Sequence, residues 1–77
     1  MNFPSDSDSK SRPISVRLDD FLKLHGLVGT GGEAKVRIQA GEVKVNDRVE
    51  TRRRRQLSEG DRIEFYGNHY LVELNDL

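Results

Sequence analysis

The spacing of the apolar residues changes at Gly41, and this change limits the folds that the chain can adopt. Upstream, apolar residues recur three and four positions apart, the period of a helix that packs one face: Leu18, Phe21, Leu22, Ala34 and Ile38. Downstream, apolar and polar residues alternate, as in strands with one buried side: Val43, Val45, Val49, Ile63, Phe65, Tyr70 and Val72. A short strand around Val16 precedes the first helix. The order predicts an α+β domain with two short helices packed on a small antiparallel sheet.

The first helix carries a signal at each end. Asp19 or Asp20 is expected to cap its N-terminus, because acidic side chains are favoured at the positive end of the helix dipole. Gly26 is expected just past its C-terminus, where glycine readily adopts a left-handed backbone. Leu24 is expected to contribute to its apolar face.

The second helix has equally local signals. Thr30 and Glu33 have the spacing of a capping box, which predicts a helix that starts near Gly31. Gly41 is expected to end this helix as Gly26 ends the first.

Two hairpins are predicted in the alternating part of the chain. Turn-forming residues at 46–47 and at 67–68 mark their tips. In the first hairpin, Val49 is expected to pack inward together with Val43 and Val45.

Length and composition indicate one small domain. The chain has 77 residues, and we expect residues 1–12 to form a flexible polar arm and residues 13–77 to form the domain. No cysteine is present, which excludes a disulfide framework, a thiolate nucleophile and a cysteine zinc site. No apolar run suits a signal peptide or a membrane span. We therefore expect a cytoplasmic monomer without a membrane partner.

The charges are unevenly distributed although they sum to zero. Residues 13–55 contain ten bases and six acids, whereas residues 56–77 contain one base and five acids. Because exposed charges are screened beyond about 10 Å at 0.1 M salt, local charge matters more than the sum for an anionic partner.

The strongest charge feature is a run of four arginines: Arg52, Arg53, Arg54 and Arg55. If the run is extended, alternate side chains point to opposite sides. One pair would then face an anion while the other pairs with acids such as Glu50 or Glu59. Guanidinium groups bind phosphate through two parallel hydrogen bonds and stack on bases. The alternative is a solvated charged loop.

Further residues are candidates for contacting the same anionic partner: Arg17, Gly31, Gly32, Lys35 and Lys44. The two glycines would expose amide groups at a helix N-terminus, although they also suit an interhelix turn. Lys44 must face outward if its valine neighbours face inward, and a solvated strand face is its alternative role. Tyr66 and Tyr70 are expected to cover the sheet rather than to stack on bases.

Catalysis is not expected. His25 and His69 are the only histidines, and without cysteine they make a poor metal set. His25 precedes Gly26 and suits the C-terminus of the first helix, where a cation is favoured. No phosphate-binding loop motif is present. We expect no metal and no cofactor.

Four segments together resemble the S4 RNA-binding domain: Arg17-Leu18-Asp19, Gly32-Glu33-Ala34-Lys35, Gly41-Glu42-Val43-Lys44-Val45-Asn46 and Gly60-Asp61-Arg62-Ile63. The resemblance covers residues 14–65 and extends to short bacterial S4-like proteins that contain little beyond this domain. It implies the αL fold and a role as an RNA-docking module. The chain departs from the family where Thr30-Gly31-Gly32 replaces a Ser-Arg-Ser-type sequence, and where Arg37 replaces an apolar residue.

The residues and the resemblance together predict a non-catalytic protein that binds structured RNA, ribosomal or transfer RNA, through a basic surface. The acidic C-terminal strands would lie away from the RNA. The alternative is a protein-interaction adaptor that docks an acidic partner through the arginine run. Binding to duplex DNA is a third and weaker option.

Overall fold

The computed structural model describes residues 15–74, which contain two short helices and six strands. In chain order these are β1 (Val16–Arg17), α1 (Leu18–Leu24), α2 (Gly31–Gln39), β2 (Val43–Val45), β3 (Arg48–Val49), β4 (Gln56–Leu57), β5 (Arg62–Phe65) and β6 (Asn68–Leu71). The predicted α+β class and element order are confirmed. The predicted arm at residues 1–12 lies outside the described residues.

Helix α1 starts without a side-chain cap. Its N-cap residue is Arg17, which has an extended backbone, and Asp19 and Asp20 lie in the first turn. The prediction that one of these acids caps the helix is therefore wrong. At the other end the prediction is confirmed, since Gly26 has a φ of 71° and its amide donates to the Lys23 carbonyl at 3.0 Å.

Helix α2 starts at Gly31, as predicted. The Thr30 hydroxyl accepts a hydrogen bond from the Glu33 amide at 3.0 Å. The Glu33 carboxylate accepts in return from the amide of Gly29 at 2.8 Å, one residue before the position that a capping box uses. Gly41 follows the helix with a φ of 82°, which confirms it as the end.

Strands β2, β3, β5 and β6 form an antiparallel sheet in the order β3-β2-β5-β6, while β1 pairs with β4 separately. The first hairpin turns at Asn46 and Asp47, whose φ angles are 52° and 71°, as predicted. The second turns at Tyr66 and Gly67 rather than at Gly67 and Asn68, because Asn68 pairs with Phe65 as the first residue of β6.

The core lies between the helices and the inner face of the four-stranded sheet. Its fully buried members include most of the predicted apolar residues: Leu18, Phe21, Leu22, Ala34, Ile38, Val43, Val45, Leu57, Ile63 and Val72. Two predicted members lie outside it. Val49 is 55% exposed, since it stands opposite Lys44 on the outer face. Leu24 is exposed because it is two positions past Leu22, on the opposite side of the helix.

Neither helix in residues 15–74 has the length and apolar character that a bilayer crossing requires.

Candidate nucleic-acid interface

Residues 52–55 form a tight turn between β3 and β4, which we call the arginine turn. The Arg55 amide donates to the Arg52 carbonyl at 3.2 Å, and this bond closes the turn. The assumption that the run is extended is therefore wrong. The exposure of the side chains nevertheless alternates, because Arg52 and Arg54 are exposed whereas Arg53 and Arg55 are half-buried.

Glu50 anchors one side of the arginine turn. It is only 7% exposed, and its carboxylate accepts four hydrogen bonds from two arginines. Arg52 donates from its amide at 2.9 Å, from Nε at 3.0 Å and from Nη2 at 3.2 Å. Arg55 donates from Nη1 at 2.9 Å. The prediction of Glu50 as a local partner is confirmed, whereas Glu59 accepts from the Leu74 amide instead.

These bonds change the acidity of Glu50. Hydrogen bonding from the Arg52 side chain, aided by the Arg52 amide and the Arg55 side chain, outweighs the effect of burial and lowers the pKa of Glu50 to about 2. The carboxylate therefore remains charged across the physiological range of pH, and it can hold both guanidinium groups in place.

Asp19 anchors the other side of the arginine turn and is only 4% exposed. Arg17 binds it through Nε at 3.1 Å and Nη2 at 2.9 Å, and the Nε of Arg53 lies 3.9 Å away. Burial raises the pKa of Asp19, but hydrogen bonds from Arg17 and from the Asp20 amide, together with the charges of both arginines, produce a net lowering. From the sequence, Asp19 is only a candidate cap, and its pairing with Arg17 and Arg53 is not predicted.

The backbone of the arginine turn also satisfies the start of α1. The amide of Leu18 donates to the carbonyl of Arg55 at 2.9 Å, and the amide of Asp19 donates to the carbonyl of Arg53 at 3.0 Å. Helix N-termini leave free amides that need acceptors. Carbonyls of the arginine turn therefore take the place of the missing side-chain cap and fix the turn against the helix.

The arginine turn together with Arg17 retains a surplus of positive charge. Five arginines at positions 17 and 52–55 meet three acids at positions 19, 20 and 50. The Arg52 side chain remains 73% exposed despite its bonds to Glu50. Arg54 is exposed and forms no ion pair within residues 15–74. Together with Arg55 and Gln56, these two arginines line an open groove of about 530 Å³.

The predicted residues of α2 lie elsewhere. Gly31 and Gly32 occupy the first turn of α2, and Lys35 is exposed one turn later. A Cβ added at Gly31 would meet nothing within 4 Å, so packing does not require glycine there. No hydrogen bond or ion pair among the described residues connects this helix end with the arginine turn. Glu33 already places a carboxylate in the same first turn.

Lys44 is exposed on the outer face of the sheet, as predicted. Its neighbours there are Val49 on β3 and Glu64 on β5. Glu64 lies 3.5 Å from the Nε2 of His69 on β6. Glu64, which belongs to the acidic C-terminal part of the chain, thus lies beside Lys44, because β5 pairs directly with β2. The expectation that the acidic strands lie away from the RNA stays a prediction.

His25 has a structural role at the end of α1. His25 is the C-cap residue of α1, as predicted, and its ring centroid lies 4.1 Å from that of Phe21. Within residues 15–74, no group of three or more potential ligands among His, Cys, Asp and Glu is arranged to hold a metal ion.

The sequence and the fold of this chain are similar to those of known proteins. The S4 domain family matches residues 11–73. The chain belongs to the S4 domain family. This confirms the resemblance seen in the sequence, and the confirmed S4-like fold comprises the two helices and antiparallel sheets described above.

Two curated relatives are similar over most of their length. The Escherichia coli K12 protein named "Putative RNA-binding protein YbcJ" is 43% identical over 57 residues, which cover 74% of this chain and 81% of YbcJ. The Bacillus subtilis protein named "Probable ribosome maturation protein RlbA" is 40% identical over 62 residues, which cover 74% of this chain and 87% of RlbA.

One solved structure is also similar. The solution structure of Escherichia coli YbcJ has 39% sequence identity and a TM-score of 0.58, over 80% of this chain and 77% of YbcJ. That structure is described as revealing an αL motif involved in RNA binding.

Proposed function

We propose that this chain binds RNA through the arginine turn. The observation that carries the proposal is a run of four adjacent arginines of which three pair with two buried carboxylates, while Arg52 and Arg54 remain exposed. Buried anchors reduce the freedom that the arginines lose on binding. Guanidinium groups suit phosphate oxygens because they donate two parallel hydrogen bonds.

Similarity to known proteins supports RNA as the anion. YbcJ, at 43% identity, bears the name "Putative RNA-binding protein", and its solved structure is described as revealing an αL motif involved in RNA binding. RlbA is named for ribosome maturation, which favours structured ribosomal RNA over transfer RNA. We propose that the chain acts in the cytoplasm as a monomeric docking module without a catalytic step. The chain would recognise mainly the shape of the RNA and the positions of its phosphates.

The remaining predicted residues are secondary in this proposal. Arg17 lies next to the arginine turn, because it binds the same carboxylate, Asp19, that Arg53 approaches. Gly31, Gly32 and Lys35 at the start of α2, and Lys44 on the sheet, would contact RNA only if it extends beyond the arginine turn.

The proposal is tested by measuring affinity for a structured ribosomal RNA fragment over a series of salt concentrations. We expect log affinity to fall linearly with log salt, at a slope that corresponds to about four to six phosphates. Absence of binding at low salt would contradict the proposal.

The alternative is a protein adaptor, because guanidinium groups bind carboxylates as well as phosphates. The two functions differ in a pull-down from cell extract. Partners that remain after nuclease treatment would favour the adaptor, and partners lost after that treatment would favour RNA.

A further inference from the structure

We propose that Tyr66 is a stacking platform for an unpaired nucleobase, next to the phosphate-binding arginine turn. This inference rests on the proposed function and adds the class of RNA: a helix adjoined by a single-stranded nucleotide, as at an overhang, a bulge or a junction. Bases inside a duplex do not offer their faces, whereas unpaired bases can stack on aromatic side chains.

The hairpin turn does not explain why a tyrosine stands at position 66. Tyr66 has a φ of 52° at the first position of a two-residue turn. Asn46 occupies the equivalent position of the other hairpin with the same φ. Asparagine and glycine suit this conformation, whereas a bulky residue adopts it only with strain. The turn itself therefore gives no reason for a tyrosine at this position.

The core does not explain the tyrosine either. The expectation that Tyr66 covers the sheet is wrong, because the residue is 63% exposed at the hairpin tip. Tyr70, in contrast, is half-buried and packs against the core. The ring of Tyr66 therefore presents most of its surface to solvent.

The exposed ring is nevertheless held in place. Its hydroxyl donates to Glu42 Oε1 at 2.9 Å, and its ring centroid lies 4.4 Å from that of Phe65. The bond to Glu42 raises the pKa of Tyr66, so the hydroxyl remains a donor. A fixed aromatic ring loses little side-chain entropy when a base stacks on it.

The sheet register places Tyr66 beside the arginine turn. Val43 pairs with Phe65 on one side, and its carbonyl accepts from the Glu50 amide at 3.0 Å on the other. Strands β3 and β5 both run antiparallel to β2, so both leave the sheet at the same end. Two strand spacings, about 10 Å, separate the backbones of Glu50 and Phe65. One RNA strand can therefore reach both features.

The charge around Tyr66 favours a base over a second phosphate. The Arg37 guanidinium lies over the ring of Tyr66, 5.8 Å from its centroid, in a cation–π contact, and it is already paired with Glu42 at 3.4 Å and Glu33 at 3.9 Å. The surroundings of Tyr66 thus contain one arginine and two carboxylates, and their net negative charge disfavours a phosphate. A neutral aromatic ligand meets no such opposition, and each of the four bases has a suitable face. A base would stack on the part of the ring that Arg37 leaves open.

The test compares two RNAs that differ in one feature. One is a duplex of two annealed strands with a short single-stranded overhang, and the other is the same duplex with blunt ends and no loop. Tyr66→Asn removes the ring but retains a residue that suits the left-handed turn, and Tyr66→Phe retains the ring. We expect Tyr66→Asn to weaken binding of the overhang RNA by about 5- to 100-fold. It should leave the blunt RNA and the salt slope unchanged. Tyr66→Phe retains the ring but loses the bond to Glu42, so it should bind the overhang RNA more tightly than Tyr66→Asn does and bind the blunt RNA like the unmodified chain.

Tyrosine fluorescence gives a second measurement. A purely structural role of Tyr66 predicts no difference in its emission between the two RNAs. The chain has two tyrosines and no tryptophan, so Tyr70→Phe leaves Tyr66 as the sole tyrosine. Stacking predicts that the overhang RNA quenches its emission more strongly than the blunt RNA does.

The outcomes separate this inference from the proposed function. If Tyr66→Asn binds the overhang RNA as tightly as the unmodified chain, or loses affinity for both RNAs equally, the stacking platform is refuted. Salt-dependent binding by the unmodified chain would still support the arginine turn. If the unmodified chain binds neither RNA, the proposed function itself fails and the stacking inference fails with it.

Discussion

The amide and the Nε of Arg52 both donate to one carboxylate oxygen of Glu50, at 2.9 Å and 3.0 Å. Backbone and side chain of one residue are thereby fixed by a single buried acceptor. The Nη1 of Arg55 binds the other oxygen, so Glu50 sets the positions of the first and last arginines of the turn. A buried acid thus organises the surface that we propose as the RNA-binding site.

Glu50→Gln tests this role. The substitution keeps the size of the side chain but removes its charge, so the charge-assisted bonds from both arginines weaken. We expect the free energy of unfolding, measured by urea denaturation, to fall by about 1–3 kcal/mol. Glu64→Gln on the outer face of the sheet is the control, with an expected change within about 0.5 kcal/mol. Equal effects of the two substitutions would contradict the anchoring role.

Acid should weaken the fold through the same group. Its pKa is about 2 in the folded chain, against an ordinary value of 4.5. Because the folded pKa is the lower one, the stabilisation is fully present above pH 4.5 and is lost as the pH falls towards 2. Urea denaturation across this window should show a loss that is larger by about 1–3 kcal/mol in the unmodified chain than in Glu50→Gln. Parallel curves for the two proteins would rule out Glu50 as the cause.

Asp19 and Asp20 provide a matched pair on adjacent positions. Asp19 is buried with two arginines around it, whereas the Asp20 side chain is 47% exposed and lies 3.6 Å from Arg17. Asp19→Asn should lower the free energy of unfolding by about 1–3 kcal/mol, and Asp20→Asn by less than about 0.5 kcal/mol. Thermal unfolding of the two variants measures the difference, and the reverse order would show that the pairing of Asp19 does not matter for the fold.

The parts of the fold that depend on neighbouring residues were predictable from the sequence. Gly26 and Gly41 end the helices because they adopt positive φ. Thr30 starts α2 through its own hydroxyl, and the turn at 46–47 needs only residues that tolerate a left-handed backbone. Each of these signals acts within a few positions of the chain.

The parts that depend on distant segments were not predictable. The cap of α1 comes from the carbonyls of Arg53 and Arg55, more than thirty positions away along the chain. Without that contact, Asp19 looks like a cap and the arginine run looks extended. Tyr66 was misplaced for a different, local reason, because the turn chemistry of Gly67 with Asn68 is better than that of Tyr66 with Gly67.

The most direct test of the central claim, that the arginine turn binds RNA, compares Arg54→Ser with Arg48→Ser. Both remove one exposed arginine that has no ion pair within residues 15–74, but Arg48 lies on β3 outside the arginine turn. The measurement is RNA affinity against salt for each variant. The account predicts that Arg54→Ser binds more weakly and reduces the slope of log affinity against log salt by about one, while Arg48→Ser matches the unmodified chain. Equal slopes for Arg54→Ser and the unmodified chain would contradict it.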